Sequence, residues 1–442
     1  MENLNTQIFT TASKWVCPAG ITSVKIDFIF GGNTLLNLQN ISSSWDFNLL
    51  LDQNNKPYGV GSNNTGNLGD NTTITRSFPV SVVGNHSFAE IWGGSSGSSA
   101  RKTDGSVWCW GSNADGQLGD NTTYTKYSPV LVVGEHSFVE ISLKDYFVLA
   151  RKADGSVWGW GNGGAGNLGN NAVDAQSSPV LAVGNHNFVE ISAGVAFSLA
   201  RKADGSVWSW GDNTLGNLGD NTVTSKSSPV LVVGSHSFVE ISANKTNISG
   251  SVVSLARKAD GSVWAWGYNE YGMLGDNTIV YKSSPVLVVG NHSFVEISAG
   301  GEHSLARKAD GSVWAWGVNN GRLGDNTDTY RSSPVLAVGN HSFSEISGGY
   351  NFSLAKKSDG TAWGWGDNTY GQLSNIYLTT KSSPVLCAFI TSGDIIENNP
   401  MSRTFIYPVV PNTTYDIVFS DSMAIFDNKI RGIGNLMLSW LE

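Results

Sequence analysis

Short runs of alternating apolar and polar residues recur along most of this chain, four to a unit, and the unit repeats about every fifty residues. In the fourth unit the runs are Phe188–Ser192, Phe197–Lys202, Ser206–Trp210 and Pro229–Val233. Alternation of this kind predicts short β-strands. Asp204-Gly205, between the second and third runs, predicts a tight hairpin turn. The stretch from Gly211 to Ser228, rich in Gly, Asn, Asp, Thr and Ser, predicts a long loop. Successive strand side chains point to opposite faces, so Trp208 and Trp210 share one face while Val207 and Ser209 share the other. The residue between the two tryptophans is small in every unit: Cys109, Gly159, Ser209, Ala265, Ala315 and Gly364. One face is bulky, the other nearly flat, and both are apolar enough to bury. A four-stranded sheet covered on both sides by copies of itself is a propeller blade.

The clearest landmark is V-W-x-W-G, and its closing glycines stand at 111, 161, 211, 267, 317 and 366. An eroded seventh copy ends at Tyr58-Gly59-Val60-Gly61, with Leu68, Gly69, Asp70, Asn71 and Pro79 in register. From Gly61 onward the steps are 50, 50, 50, 56, 50 and 49 residues. Regular repetition at this period predicts a closed array. The expected fold is therefore all-β, with a seven-bladed β-propeller over residues 35–389, running from about Leu38 to near Cys387. The six-residue excess lies in the fifth blade, between Ile241 and Leu255.

Composition narrows the classes of partner. Net charge is −9 with no long basic run, so neither nucleic acid nor an anionic membrane is expected as a partner. The three cysteines, Cys17, Cys109 and Cys387, lack metal-ligand spacing, and an odd number argues against a disulfide framework. The start MENLNTQIFTTASKW lacks the basic region and apolar core of a signal peptide. No apolar run approaches the roughly 20 residues of a membrane helix. The expectation is a soluble protein made in a cytoplasm, without membrane insertion.

The repeat resembles the regulator of chromosome condensation family. The residues that carry the likeness are G-G-x-x-H-S-L-A (Gly300 to Ala306), D-G-x-V-W-x-W-G (Asp310 to Gly317), G-x-L-G-D-N (Gly321 to Asn326) and S-P-V (Ser333 to Val335). The resemblance covers about 350 residues and implies a seven-bladed propeller. It says less about function, because the family includes a nucleotide-exchange factor, a light receptor and many other modules. The chromatin-bound exchange factor has a basic tail, whereas the tails here are polar and acidic. The plant ultraviolet receptor groups tryptophans at the H-S-L stretch. Here that stretch reads Val195–Phe197, Glu302–Ser304 and Tyr350–Phe352. Neither activity is expected.

Residues 1–34 and 390–442 do not repeat. The first contains F-T-T-A-S-K-W-V-C-P-A-G-I-T-S-V (Phe9 to Val24), then alternation through Ile26, Phe28 and Phe30. The second contains Val409–Phe419 and a final apolar run, Leu436–Leu441. This pairing resembles the glycine-rich β-domain of bacteriophage tail and fibre proteins, although the usual glycine-rich stretches are missing. It implies a small discontinuous β-sandwich made by the two chain ends, with the propeller inserted in it. The ends of a closed ring lie close together, which makes such an insertion easy.

Candidate site residues are few. His86, His136, His186, His236, His292 and His341 recur once per unit and go to different blades, so they read as turn-stabilising residues rather than a metal site; His303 reads as structural too. Asp70, Asp120, Asp220, Asp276 and Asp325, each followed by asparagine, form a candidate polar face. Their oxygens suit calcium, but each loop offers about two such ligands, and Asp and Asn also stabilise turns. No metal or cofactor is expected. Arg-Lys pairs precede most of the D-G turns and read as exposed, solubilising hairpin tips or as a basic ring for acidic ligands. The fifth-blade insertion, Asn244, Lys245, Thr246, Asn247, Ile248 and Ser249 within 244–252, is the candidate recognition loop, because it alone breaks the sameness of the rim. The bland alternative is a tolerated surface insertion.

No nucleophile–base pair, phosphate loop or paired catalytic carboxylate is visible, so an enzyme is not expected. The leading expectation is a structural virion protein of a tailed phage: a tail fibre, adhesin or capsid decoration. Its end domain would bind other virion proteins, as a homo-oligomer or bound to the particle, and its propeller would meet a host receptor, a glycan or another protein. The alternative is a cytoplasmic propeller scaffold that binds a partner protein through one face.

Overall fold

The computed structural model describes residues 36–144, 146–244, 252–374 and 378–387 in full, and the backbone of eight strands from the chain ends. Every regular element among the described residues is a β-strand. Seven four-stranded sheets, each contiguous in the chain, span residues 38–81, 90–131, 140–181, 188–231, 238–287, 294–336 and 345–386. Their strands pair antiparallel in chain order. The first strands adjoin one another around the ring, the seventh meeting the first, and so sit innermost. The result is the seven-bladed β-propeller that the repeat predicts.

Blades stack bulky face on flat face. Trp210 of blade 4 lies among Phe147, Leu149, Val157, Leu168 and Ala182 of blade 3. Trp266 of blade 5 does the same against Phe197, Leu199, Val207, Leu218 and Val232 of blade 4. The second tryptophan of each pair is completely buried and finds a donor's partner across the blade interface. Trp210 Nε1 donates to the Asn167 carbonyl at 2.8 Å, and Trp266 Nε1 to that of Asn217 at 2.9 Å. The close approach explains one glycine: a Cβ on Gly169, which sits at φ +73°, would lie 2.8 Å from Trp210 Nε1.

Local geometry departs from simple alternation in three places. In the first strand of blade 4, Phe188 pairs with Lys202 and Glu190 with Arg201. Val189 is thus a bulge, which lets Phe188 and Ile191 both face the core although they are three apart. The fourth strand is Lys226–Leu231, three residues ahead of the expected run, because a register shift pairs Gly211 with Lys226. Its Pro229 is tolerated because this strand is the outer edge, where a missing N–H breaks no ladder. The hairpin at Asp204-Gly205 is wider than two residues: Gly205, at φ +84°, donates to Lys202 O, and Lys202 donates to Ser206 O.

The innermost strands use side chains of the neighbouring blade to satisfy their inner edge. Glu190 accepts from Arg201 Nε at 2.6 Å with one oxygen and from the Ile241 N–H of blade 5 at 3.1 Å with the other. Ser192 accepts from the Ala243 N–H at 2.9 Å. The same pair of contacts joins blades 3 to 4, 5 to 6 and 6 to 7. The closing seam keeps the serine contact and adds others. There Ser43 N–H donates to Ser347 Oγ at 3.2 Å, Asn48 Nδ2 to Gln372 O at 2.5 Å, and Tyr350 N–H to Ser44 O at 2.9 Å. No strand is exchanged between the first and last blades, so hydrogen bonds and packing alone close the ring. Glu190→Ala strands a half-buried arginine and opens the Ile241 N–H, and should lower stability by about 2–3 kcal/mol. Glu190→Gln, which still accepts from Ile241, should lose less. Urea unfolding measures both; equal losses would show that the inter-blade acceptor contributes nothing.

The chain ends form a separate unit, Met1–Leu36 with Phe389–Glu442. Its strands make two four-stranded sheets. One has the order Leu4–Phe9, Asn435–Leu441, Ser23–Ile29, Ser402–Pro408; the other Ser13–Val16, Thr414–Phe419, Lys429–Gly432, Ile425–Phe426. Each sheet takes strands from both ends. All pairings are antiparallel except that between Thr414–Phe419 and Lys429–Gly432.

Candidate functional site

Alternating strand direction gives the ring two unlike faces. Connections from first to second and third to fourth strands emerge on one face, here the loop face. Connections from second to third, and from blade to blade, emerge on the other, the hairpin face.

On the loop face, a buried asparagine organises the long loop of every blade but the third. In blade 4, Asn213 Nδ2 donates to Asp220 Oδ1 at 3.0 Å and to Thr222 O at 3.1 Å, while its Oδ1 accepts from Leu218 N–H at 3.0 Å. The candidate aspartates are the other half of this device. Asp70 and Asp325 accept from Asn63 and Asn319, from Thr72 and Thr327, and from Arg76 and Arg331 at 2.8 and 2.9 Å. Asp120 and Asp276 stand 3.7 and 3.9 Å from Lys126 and Lys282. The side chains of Asp70 and Asp325 are only 3% exposed. These carboxylates turn into their own loops, so the residues of the candidate polar face are engaged in holding the loops together. Burial pushes the Asp70 and Asp325 carboxyls up, but the bonds from threonine, arginine and asparagine together hold them below the ordinary value. A sign of this was present in the sequence: blade 3, which has Asn170 in place of the aspartate, also has Gly163 in place of the asparagine.

On the hairpin face, the Arg-Lys pairs are not free tips. Each arginine is tied to a first-strand glutamate, as Arg201 is to Glu190. Each lysine caps a tryptophan whose other neighbour is the repeating histidine. Lys202 Nζ lies 4.5 Å from the Trp208 ring centre, and His186 stacks on the same ring at 4.3 Å. Six such stacks stand around this face, on Trp108, Trp158, Trp208, Trp264, Trp314 and Trp363. Burial, then the lysine charge, lowers the pKa of all six histidines. The basic ring is therefore occupied by structural contacts.

At the inner mouth of the loop face the sameness breaks. Lys245, Thr246, Asn247, Ile248 and Ser249 of the candidate recognition loop lie outside the described residues. Asn244 is buried; its Nδ2 donates to Gly301 O at 3.1 Å and its Oδ1 accepts from Val253 N–H at 3.1 Å, which pins both ends of the insertion. Tyr268 N–H donates to Val252 O at 2.8 Å and ties the insertion to a run of tyrosines. Tyr281, Tyr268, Tyr271 and Tyr330 follow ring to ring at 5.0, 6.1 and 5.6 Å. Tyr268 donates to Glu270 Oε2 at 2.7 Å. Beyond Tyr330, buried Arg322 pairs with Glu302 at 3.2 Å, and Trp45 stacks on Tyr350 at 4.6 Å. This tyrosine run escaped notice in the sequence because its members are scattered over 62 positions, and only the ring geometry unites them.

His303 is buried, with Nε2 2.8 Å from Ser353 Oγ. Cys109 and Cys387 are buried free thiols, pushed up by burial. Among the described residues no three His, Cys, Asp or Glu side chains gather as a metal site would require.

The model described as RCC1-like domain matches residues 131–397, more than half of the chain. That described as regulator of chromosome condensation (RCC1) repeat matches residues 104–150. No curated protein is matched by the sequence. Among solved structures, human WBSCR16 is similar at 18% identity and TM-score 0.64, over 76% of this chain and 98% of its own. Yeast RCC1 (Prp20) in complex with Kap60 is similar at 17% and 0.65, over 90% and 89%. Prp20p of Saccharomyces cerevisiae, described with its binding properties to Gsp1p and histones, is similar at 18% and 0.65, over 90% and 91%. At such identities the likeness is one of fold.

Proposed function

The chain belongs to the RCC1-like domain family, and from that premise we propose that it is a non-enzymatic contact protein of a tailed-phage virion. Its propeller presents the loop face to a partner. Its two end sheets stack as a small β-sandwich that joins it to other virion proteins, as a homo-oligomer or as a particle subunit.

The observation that carries the contact role is the apolar crown of the loop face. Ile74, Tyr124, Val173, Val223, Ile279 and Leu378 project from the long loops of every blade but the sixth, each 56% exposed or more, above the 41–50% of the fourth-strand leucines Leu131, Leu181, Leu231, Leu287 and Leu336 on the other face. Exposed apolar side chains gathered on one face mark an interaction site. The virion reading rests on the end segments: the W-V-C-P-A-G-I-T-S-V run from Trp15 to Val24, and the pairing of strands from both ends. A cytoplasmic scaffold is the second reading, favoured by the protein complexes in which the yeast relatives are described.

Quantitative mass spectrometry of gradient-purified particles separates the two. The expected result is this chain at a fixed stoichiometry to the major capsid or tail protein. A chain absent from particles, and monomeric at high concentration, would end the virion reading.

A further inference from the structure

The tyrosine run on the loop face ends in charges that no lysine or arginine among the described residues neutralises. Glu270 is exposed and accepts from the Tyr268 hydroxyl at 2.7 Å and from that of Tyr281 at 3.5 Å. No lysine or arginine among the described residues pairs with it, nor with exposed Asp328, two residues before Tyr330. This contrasts with Asp70, Asp120, Asp276 and Asp325 in the same loops, each of which has its own arginine or lysine. Around the two free carboxylates stand Tyr281 and Tyr330, 42% and 47% exposed, while Tyr268 and Tyr271 fill the space between them. No other pair of adjacent blades among the described residues shares such a run of rings.

A carboxylate held by tyrosine hydroxyls, with one oxygen left over and exposed rings beside it, suits one kind of group. An arginine guanidinium is planar, stacks on aromatic rings and donates to a carboxylate in the same geometry. The tyrosine rings already pack on one another here, edge to face at Tyr268–Tyr271 and Tyr271–Tyr330 and tilted at Tyr268–Tyr281, so little side-chain freedom is left to lose on binding. We propose that the strip formed by Tyr281, Tyr268, Tyr271 and Tyr330 with Glu270 docks an arginine side chain carried on an extended segment of a partner polypeptide. This rests on the loop face being the contact face and names the chemistry of what it contacts. A neutral glycan would stack on the same rings without using the uncompensated carboxylates, which is why the basic polypeptide is the better occupant.

The test uses the full chain labelled with 13C on the tyrosine rings, with Tyr281 and Tyr330 assigned from Tyr→Phe variants. The probe is the blocked peptide acetyl-Gly-Arg-Gly-amide. Saturable shifts at Tyr281 and Tyr330 are expected, weakened about tenfold by Glu270→Gln and to a similar degree when citrulline replaces arginine in the peptide. Glu270 is exposed, so Glu270→Gln should keep the wild-type melting temperature, which separates a lost contact from a lost fold. Absence of saturable shifts would overturn the proposal. So would equal shifts with the citrulline peptide or with methyl glucoside. If the chain is found on particles yet ignores the arginine peptide, only this strip is lost. If it binds the peptide and is absent from particles, only the virion reading is lost.

Discussion

Trp210→Ala should cost about 3–5 kcal/mol of unfolding free energy, the largest loss expected from any single substitution in the ring. The indole is fully buried between blades 3 and 4, so its removal leaves a cavity among apolar side chains of both blades that cannot collapse without moving two sheets. It also strips the Asn167 carbonyl of its 2.8 Å donor. Trp210→Phe should recover much of the packing and lose mainly the hydrogen bond, about 1 kcal/mol. Trp208→Ala should cost far less, because that ring is half-buried and is stacked by His186 and Lys202 rather than enclosed. Urea unfolding ranks the three; a Trp208→Ala loss as large as that of Trp210→Ala would contradict the division of labour within V-W-x-W-G.

Mild acid should weaken the propeller before any carboxylate matters. All six stacked histidines have pKa values lowered from 6.5, first by burial and then by the neighbouring lysine. Below 6.5 the unfolded chain takes up protons that the folded chain resists. Their contribution is thus complete above 6.5 and is lost as pH falls through the lower folded values. The inter-blade glutamates work in the opposite sense. Burial raises Glu140, Glu190, Glu240 and Glu296 above 4.5 despite their arginines, so the folded state protonates first and the slope should ease as pH approaches that range. The lowered carboxyls of Asp70 and Asp325 should steepen it again below 3.8. Melting temperature followed from pH 7 downward should therefore fall first near 6.5. A His186→Gln, His236→Gln double variant should show a shallower decline there; an unchanged slope would mean that the stacks do not set it.

The architecture was legible in the sequence because each blade repeats the same spacing. The glycine at Gly211 recurs in all seven blades and the tryptophan at Trp210 in six, so the blade count followed from periodicity. What periodicity hides is which partner a polar side chain chooses. Asp70 reads in the sequence as part of a polar face because it stands beside Asn71 in a Gly- and Thr-rich loop. Only the fold brings Asn63 and Arg76 to its two oxygens. Arg201 and Lys202 looked like one basic tip. Strand alternation sends the arginine to Glu190 and the lysine to Trp208, a separation visible only once the first strand and the hairpin lie side by side. The bulge at Val189 likewise leaves no mark in a pattern of single residues. The tyrosine run was least legible, since Tyr268 and Tyr330 belong to different blades.

The central claim, that the loop face is where partners meet the propeller, is tested most directly by hydrogen exchange of the chain before and after host-cell envelopes, which carry the partner that the proposed function expects, are added. Slower exchange should appear in the loops that carry Tyr268, Tyr281 and Tyr330 and in the crown around Tyr124 and Val223, with the hairpins at Gly155, Gly205 and Gly261 unchanged. Protection at those hairpins instead, or no change anywhere in the ring, would contradict it.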